Sequence, residues 1–581
     1  MSRFVGVVAR RGRFLVVTPL FDRGPQTPLE RGGGRGGRAR SAREGEMVLV
    51  EPRSRGVRVV ESLGDPERAR DVAAALIAER LGRRGFPRRL DDAARTAAEG
   101  ADERDRGRRD LRDLTTFTVD PVTARDFDDA VSAQPAGDGI RLWIHIADVA
   151  AHVRPGDPLD AEALRRANST YVPGTVEPML PPALSDEACS LAPGVDRLAV
   201  TAEIVLSGSG ESQSASFYRS RIRSDRRLSY EQLDGFFAGT ETPPPEIAAE
   251  LDLARRASAA LADRRSGGSA LEVSTEEPEF EFDRDGYVVA SRSVAQTEAH
   301  RLIEQLMILT NERVAELCEK RGIPTLYRVH ERPDPQRVEA LAVKLAALDV
   351  PAPALPETIS PAQAAELVAE ASRTVGAEAR RRGHGRAAYT SLVLRTLKQA
   401  YYSDRNVGHA GLGSPAYSHF TSPIRRYPDL IAHRALLSAI GAGEAEPERG
   451  EVREAATWCS DRERASISIE RDADRLCAAF LLGRELFESG WGRNFEGEVS
   501  GVIGAGAFVR FSGELADAYE GFLPARRIRG ERFDLDETET ALVGAKSGRR
   551  VRLGDPVEVR VDGVEAARGR VDLVPVGEPG R

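Results

Sequence analysis

The sequence predicts a multidomain α+β protein, with a small OB-like β-barrel at each end and a large α/β domain between them. Short β-type runs separated by glycine turns occupy both ends of the chain. Between them, long stretches with apolar residues at helical spacing alternate with strand-like runs. At 581 residues the chain also exceeds what one hydrophobic core organises.

RFVGVVARRGRFLVVT (3–18) reads as two β runs around an Arg-Gly turn, and MVLVEP (47–52) and GVRVVESL (56–63) add two more. Together residues 1–63 form a unit of OB-barrel size. The intervening loop, 23–46, is rich in Gly and Arg and reads equally well as a loose RNA-phosphate contact or a solvated linker. Residues 64–113 read as a helical connector: DPERARDVAAALIAERLG puts Val72, Ala75, Leu76 and Leu81 near one face, and 101–114 reads as a charged, solvated helix.

In the central region LWIHIADVAAHV alternates like a buried strand. Helices are expected in PPPEIAAELDLARRASAALADRR, EAHRLIEQLMILTNERVAELCEKRG, VEALAVKLAALDV and AAYTSLVLRTLKQAYY. PAPALPETISPAQAA (351–365) reads as a Pro/Ala-rich loop, and 453–489 as one long helix or a helix pair. The last segment, from FEGEVSGVIGAGAFVRFSG to RGRVDLVPV, gives five β runs with glycine turns, a second small barrel.

The composition is that of an ordinary globular chain, 41% hydrophobic and 30% charged, with no apolar run long enough to span a membrane. The amino end lacks a signal-peptide pattern. Cys189, Cys318, Cys459 and Cys477 are far apart, which suits buried thiols in a reducing cytoplasm. A net charge of −8 excludes an argument from overall basicity, so a nucleic-acid ligand requires local basic patches. Arginine outnumbers lysine heavily; guanidinium forks suit phosphates, but a GC-rich genome produces the same bias and is the preferred explanation.

Three stretches carry chemistry. TVDPVTARDFDDAV gathers Asp120, Asp126, Asp128 and Asp129. Pro121 stops the first strand, so PVTAR folding back as a loop brings the acidic ends together, with Phe127 pointing into the core. Hard cations such as Mg²⁺ take a few carboxylates plus water and phosphate. On spacing alone a turn at Asp120-Pro121 or a helix cap at Asp128-Asp129 is as good a reading; an EF-hand loop is excluded, because the sixth residue from Asp126 is Val131 rather than Gly. SHFTSPIRRYPDLIAHR holds Arg425 and Arg426 in a proline-stiffened loop, suited to gripping a phosphate or forming a surface salt-bridge patch. In STYVPGTVEPMLPPALSDEACSL, Tyr171 precedes a Val-Pro-Gly turn that can present its ring at a fixed angle for a base to stack on, although a lone tyrosine reads first as an ordinary core or surface residue.

Together these stretches, with WIHIADVAAHVRPGDPLDAEA, resemble the hallmark blocks of the ribonuclease II/ribonuclease R (RNB) family, in that family's order over roughly residues 114–490. GAFVRF and YEGFLP in 494–577 resemble an S1 domain. The resemblance implies a processive 3′→5′ exoribonuclease that hydrolyses single-stranded RNA to nucleoside 5′-monophosphates; the alternative is a catalytically silent RNA-binding homologue. It implies that Asp120, Asp126, Asp128 and Asp129 hold Mg²⁺, with Asp128 the most critical to turnover, that Arg425 grips the scissile phosphate beside Arg426, and that Tyr171 stacks on the terminal bases. Phe508 and Phe522 fall where S1 domains place aromatics for RNA, although core packing explains a phenylalanine there equally well; Glu470 falls at a family position near the active site, and Tyr327 is offered as the second aromatic of the base clamp. His145, His409 and His419 are expected to be structural. The chain has room for one barrel before the catalytic domain where the family usually has two, and it ends at GEPGR without a lysine-rich tail, which leaves the choice between the two branches open. A cytoplasmic monomer without protein partners is expected.

Overall fold

A computed structural model describes residues 3–30, 42–82, 84–100, 107–266, 277–528 and 531–577. Strands β1 (Phe4–Arg11), β2 (Phe14–Pro19), β3 (Thr27–Pro28), β4 (Met47–Arg53) and β5 (Gly56–Gly64) form one antiparallel sheet in the order β3-β2-β1-β4-β5. A bridge between Leu29 and Val57 brings its two edges together. The core of the expected Gly/Arg loop, 31–41, lies outside the described residues.

Helices α1 (Ala69–Leu81) and α2 (Arg88–Gly100) follow. The connector reading understates α1: Val72 through Ala78 are all buried, because small side chains let the helix wedge between the first sheet and the long helix described below. The expected solvated helix over 101–114 is also not found in its described part. Arg109 and Asp110 form β6, an edge strand parallel to β13 below, and Arg108 donates to the buried Asp148 carboxylate at 2.7 Å. That ion pair pins the segment.

The central sheet comprises β6, β7 (Phe117–Asp120), β8 (Asp129–Ala136), β9 (Gly139–Ala147), β12 (Asp196–Leu206), β13 (Ser212–Arg223) and β14 (Arg226–Ser229), in the order β14-β7-β8-β9-β12-β13-β6. Between β9 and β12 come α3 (Pro158–Arg166) and a hairpin of β10 (Thr170–Val172) and β11 (Thr175–Glu177). Helices α4 (Tyr230–Ala238), α5 (Ala248–Ser266) and α6 (Glu298–Arg321), with the hairpin β15 (Glu277–Phe282)–β16 (Val288–Val294), complete this region, and one core runs from Leu90 to Cys459.

Beyond it lie β17 (Tyr327–Val329), α7 (Pro335–Ala347), α8 (Pro361–Arg382), α9 (Arg386–Thr396), β18 (Tyr401–Ser403), α10 (Tyr427–Ala439) and α11 (Arg449–Ser489). The expected loop 351–365 gives way to α8 because Ser360 and Gln363 form a capping box: the Ser360 hydroxyl accepts the Gln363 N–H at 3.3 Å and the Gln363 carbonyl accepts that of Ser360 at 3.0 Å. The helix expected through Tyr402 stops at Thr396, and Tyr401–Ser403 pair with Tyr327–Val329 instead. Residues 453–489 belong to one 41-residue helix, α11.

The last segment forms a closed barrel of β19 (Asn494–Ile503), β20 (Gly506–Phe511), β21 (Tyr519–Pro524), β25 (Pro556–Glu565) and β26 (Arg570–Pro575). Strands β22 (Phe533–Leu535), β23 (Ala541–Gly544) and β24 (Arg550–Arg552) make a small sheet beside it. All four cysteines are buried free thiols, and among the described residues no helix is long and apolar enough to cross a membrane.

Candidate active site

Asp120 closes β7 and Asp129 opens β8, so the loop between them returns both acidic ends to one edge of the sheet. Phe127 is buried as an anchor. Its backbone is pinned from a distant block: Phe127 N–H donates to Ser190 Oγ at 3.1 Å, and Leu191 N–H to the Phe127 carbonyl at 2.9 Å. This is the local work of the SDEACSL stretch, whose Ser190 hydroxyl also donates to the Arg125 carbonyl at 2.7 Å.

The three informative stretches meet in one pocket of about 440 Å³. Asp128, 3% exposed, accepts the Ile424 N–H at 2.9 Å on one oxygen and Arg425 Nε at 3.3 Å on the other. The Arg425 guanidinium also donates to Ser422 Oγ at 3.0 Å, and its side chain stays 45% exposed, facing the pocket. Arg426, expected on RNA, lines the same pocket but donates to Asp429 at 2.7 Å; Asp429 also accepts the Ser422 N–H at 2.8 Å. Buried carboxylates thus hold the arginine loop at Ser422 and at Ile424.

Tyr171 sits on the β10–β11 hairpin, whose turn uses Gly174 at φ +78°, a conformation that disfavours side chains with a Cβ. The Tyr171 hydroxyl donates to Asp126 at 3.0 Å, and its backbone N–H donates to Glu470 of α11 at 3.0 Å. Ser169 N–H donates to the Arg425 carbonyl at 2.9 Å, joining the hairpin stem to the arginine loop. Acidic loop, arginine loop and aromatic hairpin are therefore bonded pairwise.

Burial raises the pKa of Asp128 to about 8, against the opposing pull of Arg425. Asp120 and Asp129 are also held above the ordinary carboxylate range, by burial first and then by neighbouring negative charge. Asp120 Oδ2 is buried without a hydrogen-bond partner. Among the described residues no group of three or more carboxylate, imidazole or thiol side chains is arranged to hold a metal ion by itself. An orphaned carboxylate oxygen among like charges fits an open hard-cation site, in which water and substrate phosphate complete the shell.

Phe508 and Phe522 are cross-strand partners on the last barrel, with ring centroids 5.2 Å apart. They face a cleft of about 800 Å³ bounded by the loop after β2, α1, the β15–β16 hairpin, α11 and the barrel, and not the acidic pocket. Tyr327 is buried at 6% exposure against Ala315, Val329 and Ala416, which removes it as a base-clamp ring: on β17 it points into a small core. His145 is fully buried between Ser132 and Thr201, and the Tyr402 hydroxyl meets His419 Nδ1 at 2.8 Å. His409 caps a short turn by accepting the Leu412 N–H.

Tyr230 and Glu304 are among the pocket residues that the sequence did not single out. Tyr230 stacks on His300 at 4.0 Å and 11°, and Glu304 projects from α6. The Ser229–Gln232 capping box that starts α4 at Tyr230 is a readable signal; nothing local distinguishes Glu304 from other helix-surface glutamates.

A family model for the RNB domain matches residues 108–442, and one for the S1 RNA-binding domain matches 491–574. Ribonuclease R of Escherichia coli is 35% identical over 493 residues, covering 82% of this chain and 58% of the relative. Ribonuclease R of Aquifex aeolicus is 34% identical over 547 residues, covering 91% of this chain and 75% of the relative. The chain thus spans little more than half the length of the E. coli relative. Among solved structures, Mycoplasma genitalium RNase R in complex with ribose-methylated single-stranded RNA superposes with a TM-score of 0.86 at 24% identity, covering 99% of this chain and 90% of that one. Yeast Ssd1, a pseudonuclease, superposes at 0.64 with 17% identity, covering 93% and 67%. With an RNB domain spanning more than half its length and an S1 domain behind it, the chain belongs to the RNB family of ribonuclease R relatives.

Proposed function

We propose that the protein is a processive 3′→5′ exoribonuclease that hydrolyses single-stranded RNA to nucleoside 5′-monophosphates. The observation that carries this reading is the convergence of Asp128, Arg425 and Tyr171 on one pocket through direct hydrogen bonds. The fold alone does not decide it, since a protein described as a pseudonuclease shares it.

Family membership implies a divalent-metal-dependent nuclease, and Mg²⁺ is the ion we propose, held by Asp120, Asp126, Asp128 and Asp129. When bound, a divalent ion supplies a polarised water and charge neutralisation at the departing oxygen. Arg425 presents a half-exposed guanidinium where negative charge builds on the phosphate. The water oxygen bonds to phosphorus, the P–O3′ bond breaks, the shortened RNA keeps the 3′-oxygen with a proton, and the released nucleotide keeps the 5′-phosphate. Tyr171 offers its ring to the terminal base, fixed at its hydroxyl by Asp126 and at its backbone by Glu470. Phe508 and Phe522 contact RNA in the cleft upstream. The domains we assign are the barrel 1–63, the connector 64–113, whose last residues add β6 to the central sheet, the catalytic domain 114–490 and the S1 barrel 494–577. Buried free thiols suit a reducing cytoplasm, where we propose the protein acts.

A 5′-labelled RNA oligomer incubated with Mg²⁺ tests the reading. Stepwise shortening, release of 5′-monophosphates, arrest by EDTA and sparing of a DNA oligomer are expected. Binding without shortening identifies a silent homologue instead.

A further inference from the structure

The loop between β7 and β8 carries the acidic cluster, yet it belongs to no helix or strand. Pro121 has no N–H to continue the β7 ladder, and the carbonyls that follow need partners from elsewhere. The far end of the loop is clamped by Ser190, through the Arg125 carbonyl and the Phe127 N–H. The near end is clamped from another strand. Arg227 on β14 donates from Nη2 to the carbonyls of Pro121 and Val122, at 2.7 Å each. The Pro121 carbonyl also accepts the Ala124 N–H at 3.0 Å, which closes the turn.

Strand β14 runs parallel to β7, with Arg227 opposite Thr118 and Ser229 opposite Asp120. Neighbouring residues on a strand point to opposite faces. Arg226 turns out to Glu246, at 2.6 Å, whereas Arg227 reaches over the acidic loop and lays its guanidinium 5.1 Å from the centre of the Phe127 ring. A planar fork bonds two carbonyls and stacks on an aromatic at once, which the ammonium of lysine does not. Arg227 thereby joins the first residues of the loop to the anchor near its end. It does not line the acidic pocket, so it is no candidate for gripping the substrate.

Charge alone gives Arg227 no reason to be there. The guanidinium is close enough to Asp120 for its field to act on that carboxylate. A cation in that place opposes a second cation held by the same oxygens. We infer that Arg227 is a positioning residue for the metal site: it sets the path of residues 121–127 so that Asp120 at one end meets Asp126, Asp128 and Asp129 at the other. The inference rests on the metal-dependent reading above.

The test is calorimetric titration of Mn²⁺, which takes the same kinds of oxygen ligand as Mg²⁺, into the full-length protein without RNA. Arg227→Ala and Arg227→Lys are both expected to bind the ion about 10–100-fold more weakly than wild type, the order of loss when groups that orient metal ligands are removed. Arg226→Ala removes the same charge one position away and is expected to change nothing. Hydrogen exchange on the ion-free protein reads the loop directly: the amides of 122–127 are expected to exchange faster in both Arg227 variants, with those of β8 and β9 unaffected. Hydrolysis by both variants is expected to recover at raised Mg²⁺, while RNA affinity in EDTA stays at the wild-type value. Tighter Mn²⁺ binding in Arg227→Ala leaves only the charge effect, and unchanged exchange over 122–127 shows that the loop holds itself; either result overturns the inference. So does exchange that quickens across the whole sheet, which marks Arg227 as a general stabiliser. A wild-type protein that binds Mn²⁺ but does not shorten RNA fails the exoribonuclease reading separately; titration and exchange then decide the role of Arg227 alone.

Discussion

Asp128 and Ile424 are 296 positions apart, yet the Asp128 carboxylate accepts the Ile424 backbone N–H at 2.9 Å while its other oxygen faces Arg425 Nε at 3.3 Å. The same side chain therefore belongs to the acidic cluster and builds the arginine loop.

That double duty separates two substitutions. Asp128→Asn keeps an oxygen for Ile424 and removes the charge, so the fold and RNA binding are expected to persist while hydrolysis falls by about 10²-fold or more. Asp128→Ala also strands a buried N–H, a further loss of about 1–3 kcal/mol of stability. Thermal melts and single-turnover cleavage measured together resolve the two effects; equal melting temperatures for Asn and Ala variants contradict the structural role.

Tyr171 is bound at its hydroxyl by Asp126, and in the proposed function its ring is the platform for the terminal base. Tyr171→Phe is expected to keep the normal end-product length, and Tyr171→Ala to lengthen it, because only the alanine removes the platform, at about 1–3 kcal/mol per stacked base. Gel analysis of the limit product from a labelled oligomer checks this. An unchanged limit product in the alanine variant places the ring away from the channel end.

Phe508 and Phe522 face the cleft rather than the acidic pocket. Replacing both by alanine is expected to weaken RNA binding by about tenfold or more while sparing the cleavage rate at saturating RNA. Equal losses of affinity and saturated rate contradict that division of labour.

His145 is buried, and burial pushes its pKa down to about 3. The unfolded chain takes up this proton near the ordinary value of about 6.5, so below that pH the unfolded state binds more protons. The contribution of a neutral His145 to stability is present above about pH 6.5 and is lost progressively as pH falls toward 3. Urea midpoints for wild type are expected to drop more steeply between about pH 6.5 and 4.5 than those of His145→Gln. Parallel curves locate the acid sensitivity elsewhere, with His433 the next candidate because burial also lowers its pKa, to about 4.

Local chemistry in the chain determined a good deal. Pro121 after a β run forced the turn that gathers the aspartates, alternating apolar residues marked Phe127 as their anchor, and glycine-punctuated runs marked the terminal barrel. The capping box at Ser360 is equally local, but the prolines before it give the segment the look of a loop. What only the tertiary structure decided are pairings between distant residues. Ile424 on Asp128, Glu470 behind Tyr171 and Arg426 turned to Asp429 depend on where separate elements pack, and no local periodicity encodes that. Tyr327 shows the same limit from the other side: β17 carried an aromatic of the right kind, but packing against Ala315 and Ala416 took the ring into a core. Residue type and spacing fix what a segment can do; which partner it meets is fixed by the burial of surfaces hundreds of residues apart.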